Sequence, residues 1–323
     1  MKNIRIIKNR SDIGAGTRGA DMGIDAIEIA AINVENDFFN KWPSLDVKTH
    51  NESIYNKVNN SFAKRIGFVV EQCERVSNSV QQVLSNNEFP LVFSGDHSSS
   101  LGTISGVKAA NPNAKIGVVW IDAHADLHSP YTSPSGNVHG MPLAAALQED
   151  NTDMRINELD ESTISSWNEL KNIGTNTPKF LPEHLIFFGV RDTEEPEDAL
   201  ITNKGIKNYS VSEMRYRGFS NCVQEAISKL SDCDAIYITL DVDSLDCDFV
   251  SRCFFPGAGV NEDPVTGSAH TTLTPYWSKK LNKSILSAMQ LSERGGALSC
   301  EVKGERVIIG GKVTLYMKGK IYI

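Results

Sequence analysis

Three short apolar runs in this chain each pass straight into acids and histidines, and that repeated arrangement limits the possible folds more than any other feature. Residues 90–93 lead into Asp96 and His97, residues 116–121 into Asp122, His124 and Asp126, and residues 235–240 into Asp241, Asp243 and Asp246. The runs are rich in Val, Ile, Phe, Tyr and Trp and too short for helices, so they read as buried parallel strands. In an open α/β sheet, small molecules bind in the crevice beyond the carboxyl ends of the strands, and three acid-bearing strand ends can therefore converge on one point.

The surrounding pattern agrees with a three-layer, doubly wound α/β fold. Residues 4–7 form a first strand, followed by a Gly-rich turn from Gly14 to Gly19 and a helix over 23–32. Residues 53–86 carry helical periodicity, with Phe62, Ile66, Val69, Val70 and Cys73 spaced by three and four. Further helices are expected at 99–110, 141–147 and 221–230, and a further strand at 185–190, so that strands and helices alternate as in a parallel sheet. The charge-rich stretch 148–182 reads as helix plus surface loop without chemistry. Beyond residue 248 the pattern changes: one helix at 270–281 precedes short runs at 285–291, 297–302, 306–309, 313–317 and 321–323, punctuated by Gly-containing turns. That is the signature of an antiparallel α+β segment built from hairpins. Two domains are therefore expected, 1–248 and 249–323.

Composition narrows the function. A net charge of -8 argues against nucleic acid or an anionic membrane as partner, because both need basic patches. No apolar run is long enough to span a membrane and the first residues lack a signal-peptide core, so a cytoplasmic protein is expected. Cys73, Cys222, Cys233, Cys247, Cys253 and Cys300 show no paired spacing and are expected to be reduced. Gly14, Gly16 and Gly19 match the outline of a dinucleotide-binding loop, but no second strand ends in an acid at the distance such a site requires.

Asp122, His124 and Asp126 are spaced by two, which on extended backbone turns all three to one side of the strand end. Asp241 and Asp243 repeat the spacing, and His97 adds a second imidazole. A lone acid at a strand end is usually a turn residue. Six such groups in three clusters are different, because burying that many acids without cations is strongly unfavourable. The oxygen-rich set without thiolate suits Mn²⁺, and four carboxylates balance two divalent ions better than one. Two such ions can activate a water for attack on an electrophilic carbon, which makes the reaction class metal-assisted hydrolysis. Downstream, Ser135 and Asn137 offer neutral donors suited to a carboxylate, and the loop residue His139 can shuttle protons near neutral pH. His128 and Asp246 are weaker candidates for the same region.

These segments, together with residues 9–19, resemble the arginase branch of the ureohydrolases over about three quarters of the chain. The resemblance implies one Mn²⁺ held by His97, Asp122, Asp126 and Asp241 and a second held by His124, Asp122, Asp241 and Asp243. It implies catalytic roles for His139 and Asp126, a substrate α-carboxylate at Ser135 and Asn137, and an α-amino contact at Glu194. The implied reaction is hydrolysis of L-arginine to L-ornithine and urea by a metal-bridging hydroxide, in a cytoplasmic homo-oligomer. After Asp246 the arginase pattern stops: its Thr-Gly-Thr-Pro loop and the glutamate facing the guanidinium have no counterpart. Residues 249–323 instead resemble the C-terminal part of phenazine-biosynthesis (PhzF-like) isomerases, in which Gly267 to His270 would precede a helix with an anion-binding N-terminus. That half implies the alternatives of a metal-independent isomerase or a non-catalytic hybrid that keeps its metals.

Overall fold

The computed structural model describes residues 2–16, 18–244, 249–251, 253, 262, 266–290 and 296–311. The chain divides into two compact units, Met1–Ser244 and Leu245–Ile323.

In the first unit the order of elements is β1 (Ile4–Asn9), α1 (Gly23–Asn33), α2 (Phe38–Lys41), β2 (Ser44–Asp46), α3 (Ile66–Ser85), β3 (Phe89–Ser94), α4 (Ser99–Ala110) and β4 (Ile116–Ile121). There follow α5 (Pro142–Leu147), α6 (Glu161–Asn172), β5 (Leu185–Phe188), α7 (Glu195–Lys204), β6 (Lys207–Tyr209), α8 (Val211–Arg217), α9 (Phe219–Lys229) and β7 (Ala235–Leu240). Every strand pairing is parallel, as the alternation of runs predicts. The strands form two sheets, in the orders β2-β1-β3 and β6-β5-β4-β7. Among the described residues β3 and β7 are therefore edge strands.

Helix α3 shows why these segments fold as they do. Ile66, Val69, Val70, Cys73, Val76, Val80 and Val83 recur at three- and four-residue spacing and are all buried, so one face of the helix is committed to the core. The helix begins at Ile66 and not near residue 53, because Arg65 turns left-handed (φ 59°) and the Asn- and Ser-rich stretch before it offers no apolar stripe. Asn60 in that stretch instead donates to Ser162 and Thr163 beside α6. Against α3 lies α4, and their backbones touch: a Cβ on Gly102 would sit 2.6 Å from the Cys73 carbonyl, and one on Gly106 2.5 Å from that of Ser77. The main core joins α3, α4, α5 and α6 to one face of β4 and β5 through Ile104, Val118, Trp120, Trp167 and Phe187. The opposite face of the second sheet packs Ile186, Phe188 and Tyr209 on Cys222, Ala226 and Leu230 of the α9 region, which completes three layers.

That outer cover does not reach β7. Its side chains alternate, and Ile236, Ile238 and Leu240 are 48%, 63% and 65% exposed.

The stretch expected to hold no chemistry contributes α6, capped by Asp160, whose carboxylate accepts from the Thr163 amide at 2.6 Å. Lys179 beyond it is fully buried, with Nζ donating to the Lys171 carbonyl at 2.6 Å. Cys73, Cys222, Cys233, Cys253 and Cys300 are free thiols, as expected. No helix among the described residues is long and apolar enough to cross a membrane.

The second unit comprises β8 (Phe249–Ser251), α10 (Gly267–Leu281), β9 (Ile285–Gln290), β10 (Gly296–Lys303) and β11 (Arg306–Gly310), in the sheet order β11-β10-β9-β8. Leu286, Ala288, Leu298 and Cys300 form its core, with Leu273 and Trp277 of α10 against them. The β9-β10-β11 pairings are antiparallel, as the turn residues indicate. The β8–β9 pairing is parallel, because α10 supplies the crossover that parallel neighbours require, and β8 is a strand that the sequence reading did not include. The expected runs at 313–317 and 321–323 lie outside the described residues.

Candidate metal centre

Each acid-bearing segment begins where its strand ends. After β3 the chain turns through Gly95, where a Cβ would stand 2.4 Å from the Ser11 carbonyl, so only glycine lets the two backbones approach this closely. The Asp96 amide then donates to Ser11 at 3.1 Å. Asp96 itself points away from the cluster of ligands: its carboxylate accepts from the Gly14 and Ser98 amides at 3.0 and 2.8 Å. His97 follows, with its ring stacked on Trp120 of β4 at 4.0 Å and 19°.

The His97 imidazole meets the other two strand ends. Nδ1 lies 2.9 Å from Asp122, 3.1 Å from Asp126 and 3.4 Å from Asp241, in each case from Oδ2. Nε2 lies 2.9 Å from the Thr239 hydroxyl on β7. A second group forms beside the first, with His124 Nδ1 3.0 Å from Asp243 Oδ2 and 3.6 Å from Asp122 Oδ1. His97, Asp122 and Asp126 thus make one set able to hold a metal ion, and Asp122, His124 and Asp243 make another. The two sets share Asp122, one oxygen facing each.

Backbone contacts fix these positions. The Asp241 amide donates to the Ile121 carbonyl at 2.9 Å, continuing the β4–β7 pairing past the strand ends. Asp126 adopts a left-handed conformation (φ 51°), which asparagine and aspartate tolerate better than most residues and which is concentrated at functional sites. Its carbonyl accepts from the Leu143 amide at 3.1 Å, and the next amide, Leu127, donates to Glu197 at 3.0 Å. The first set is deeply buried and the second open: the side chains of Asp122 and Asp126 are 1% and 6% exposed, those of His124 and Asp243 47% and 44%.

Electrostatics shows what the pocket requires. Burial pulls the His97 pKa down, but hydrogen bonds and charge from Asp122 and Asp126 outweigh it and push the value up to about 10. Hydrogen bonds to Asp122 and Asp243 push His124 up to about 11, against burial. Burial raises Asp126 to about 7, with His97 opposing. For Asp122 burial is overcome by hydrogen bonds from His124 and His97, which hold it well below the usual carboxylate range. The acids therefore draw positive charge onto the two imidazoles. Buried Asp122 Oδ2 and His97 Nδ1 nevertheless lack a well-formed hydrogen bond despite their short separation. Two nitrogens and several carboxylate oxygens converging on atoms without hydrogen-bond partners fit divalent cations that accept mixed oxygen and nitrogen ligands. A separate cavity of about 800 Å³ beside α3 and α6 includes none of these residues.

Of the other residues singled out in the sequence, His139 lies in the loop before α5, with its amide donating to the Gly14 carbonyl at 3.1 Å. Burial lowers its pKa, while the charges of Asp96 and Asp241 act in the opposite sense. Its imidazole is thus held toward the neutral form, which accepts protons. Ser135 Oγ accepts from the Asn137 amide at 3.2 Å. Glu194 caps α7 in a capping box with Glu197, and its carboxylate lies 2.5 Å from His128 Nε2. His128 is thereby tied to Glu194, while Asp246 lies outside the described residues. Sequence reasoning missed Thr239, Trp120 and Glu197. Glu197 was open to detection as the third residue after the cap Glu194, whereas Thr239 gives no local signal.

The comparisons with known proteins concern this same region. The family profile described as "Arginase family" matches residues 2–263. The chain belongs to the arginase family. The arginase of Bacillus caldovelox is 35% identical over 249 residues, covering 76% of this chain and 77% of that protein. The arginase of Brevibacillus brevis is 36% identical over 257 residues, covering 76% of each. The solved structure of the Bacillus caldovelox arginase superposes with a TM-score of 0.64 at 35% identity, over 76% of this chain and 77% of that one. The family's α/β fold, with parallel sheets and acid-bearing strand ends, is thus the fold of the first unit.

Proposed function

We propose that this arginase-family chain is a binuclear manganese hydrolase that converts L-arginine to L-ornithine and urea. The observation that supports it most directly is the pair of adjacent ligand sets, His97 with Asp122 and Asp126, and His124 with Asp122 and Asp243, joined through Asp122. Asp241, whose carboxylate lies 3.4 Å from His97, would complete the first set and, by the resemblance to arginases, would also serve the second. Two Mn²⁺ bound there supply activation of water near neutral pH. The remaining roles fall to the chain's own residues. Asp122 divides its two oxygens between the sets. Asp126 and Asp241 present carboxylates to the buried side, and Asp126 would also orient the attacking water. His139, kept toward its neutral form by burial, takes up and returns protons. Ser135 and Asn137 receive the α-carboxylate, and Glu194 lies at the α-amino end.

The same reading places the hydrolase domain at 1–248 in a cytoplasmic homo-oligomer, and assigns residues 249–323 to a PhzF-like segment. In that segment Gly267 to His270 form the first turn of α10 itself, and the buried His270 has Nδ1 2.7 Å from the Thr266 carbonyl and Nε2 3.1 Å from the Ser251 hydroxyl. These contacts suit a structural histidine, and the hydrolase reading is preferred to a metal-free isomerase.

Purified protein incubated with Mn²⁺ and offered arginine, agmatine or guanidinobutyrate should bind two ions per chain and release urea chiefly from arginine. Protein that stays metal-free under Mn²⁺-replete conditions refutes the proposal. Activity that survives a chelator favours the isomerase instead.

A further inference from the structure

The Gly-rich turn near the N-terminus and the stretch before α3 meet at the loop that carries Asn137, and their contacts fix how its amide is presented. Gly136 is left-handed (φ 69°), and a Cβ there would lie 2.1 Å from the Ser61 carbonyl. The Lys64 amide donates to the Gly136 carbonyl at 2.7 Å. Lys64 Nζ then donates to Asn137 Oδ1 at 3.3 Å. Gly16 runs beside the other end of that amide, where a Cβ would lie 2.7 Å from Asn137 Nδ2, so a side chain at that position would crowd it. Lys64 is half-buried, and no carboxylate among the described residues lies within ion-pair distance of it.

We infer that Lys64 is a positioning and specificity residue, which sets the Asn137 amide and supplies a positive charge so that the site prefers guanidino substrates bearing a carboxylate over their decarboxylated amines. This rests on the proposal that Ser135 and Asn137 receive the α-carboxylate. The chemistry is direct. With Oδ1 occupied by the ammonium, the Nδ2 hydrogens are the ones left to donate, and a carboxylate accepts but never donates. A half-buried ammonium with no counter-ion among the described residues also attracts an anion, and hydrogen bonds to charged groups are stronger than neutral ones. A decarboxylated amine keeps its own ammonium but has no carboxylate to meet the Lys64 charge.

Lys64→Met keeps the backbone bond to Gly136 and most of the side-chain stem. It should raise KM for arginine about tenfold, with kcat changed less than about threefold, and leave KM for agmatine unchanged or lower. Lys64→Arg, which restores the charge, should recover most of the loss. Calorimetric binding of L-ornithine and of putrescine to the Mn²⁺-loaded protein gives a readout independent of turnover: ornithine should weaken about tenfold in Lys64→Met and putrescine should not. Equal changes for both ligands, no change for either, or no recovery with arginine overturns the inference. Absence of urea from the parent protein counts against the hydrolase reading, while the ornithine comparison still decides the role of Lys64. A parent protein that binds neither ornithine nor arginine overturns both.

Discussion

Replacing Thr239 with valine swaps one hydroxyl for a methyl on a strand where valine is at home, so the fold has little reason to change. What is lost is the partner of His97. Its Nδ1 is turned toward Asp122, Asp126 and Asp241, so a metal at that nitrogen requires the ring proton to sit on Nε2, 2.9 Å from the Thr239 oxygen. In the variant a buried N–H has nothing to donate to, at a cost of about 1–3 kcal/mol. That matches the roughly 10- to 100-fold loss of metal affinity typical when such an outer partner is removed. The loss should be one-sided. His124 makes its contacts with Asp243 and Asp122, so the more open site should keep its affinity within about threefold. Calorimetric or paramagnetic-resonance titration with Mn²⁺ should resolve one weakened and one intact site in Thr239→Val, and two intact sites in Thr239→Ser. Equal weakening of both sites, or none, refutes the idea that this hydroxyl orients His97.

His139→Ala should lower urea release by about 10²- to 10⁴-fold while Mn²⁺ stoichiometry stays the same, and an unaltered rate removes the residue from proton transfer. Gly106→Ala forces a methyl to within 2.5 Å of the Ser77 carbonyl and should cost about 1–3 kcal/mol, read as a lower denaturant midpoint; an unshifted midpoint contradicts the close approach of α3 and α4. Burial lowers the Lys179 pKa from 10.5 to about 8, so between those values the unfolded chain holds the proton that the folded chain has released, and the Lys179 contribution to stability rises with pH. Lys179→Met should be about 2 kcal/mol more stable than the parent at pH 7, with the gap closing as pH approaches 10; a gap independent of pH rules out a buried charge.

The candidate metal ligands were legible because their clusters announce themselves locally, as an apolar run followed at once by acids and histidines. The parallel strands and the α3 stripe were legible for the same reason, since periodicity is a short-range property. What escaped notice depends on distant pairs. Thr239 reaches His97 across 142 residues and Lys64 reaches Asn137 across 73, and neither residue differs from an ordinary strand threonine or loop lysine until the fold brings them together. The parallel pairing of β8 escaped because the turn residues that follow it speak only for hairpins. The start of α3 was misplaced because the left-handed Arg65 ends the helix on its N-terminal side, and a left-handed turn at an arginine gives no signal in the sequence.

The strand that delivers Asp241 and Asp243 lies at a sheet edge with one face uncovered. β7 has a neighbour on one side only among the described residues, and half of its side chains, Ile236, Ile238 and Leu240, face water. Fraying of such an element requires little free energy compared with global unfolding. Whenever it frays, two acids leave the cluster while Asp122 and Asp126 remain anchored on β4. Cations bound at the proposed centre would hold this strand down as much as the strand holds them, so metal occupancy and protection of the β7 amides from hydrogen exchange should rise and fall together.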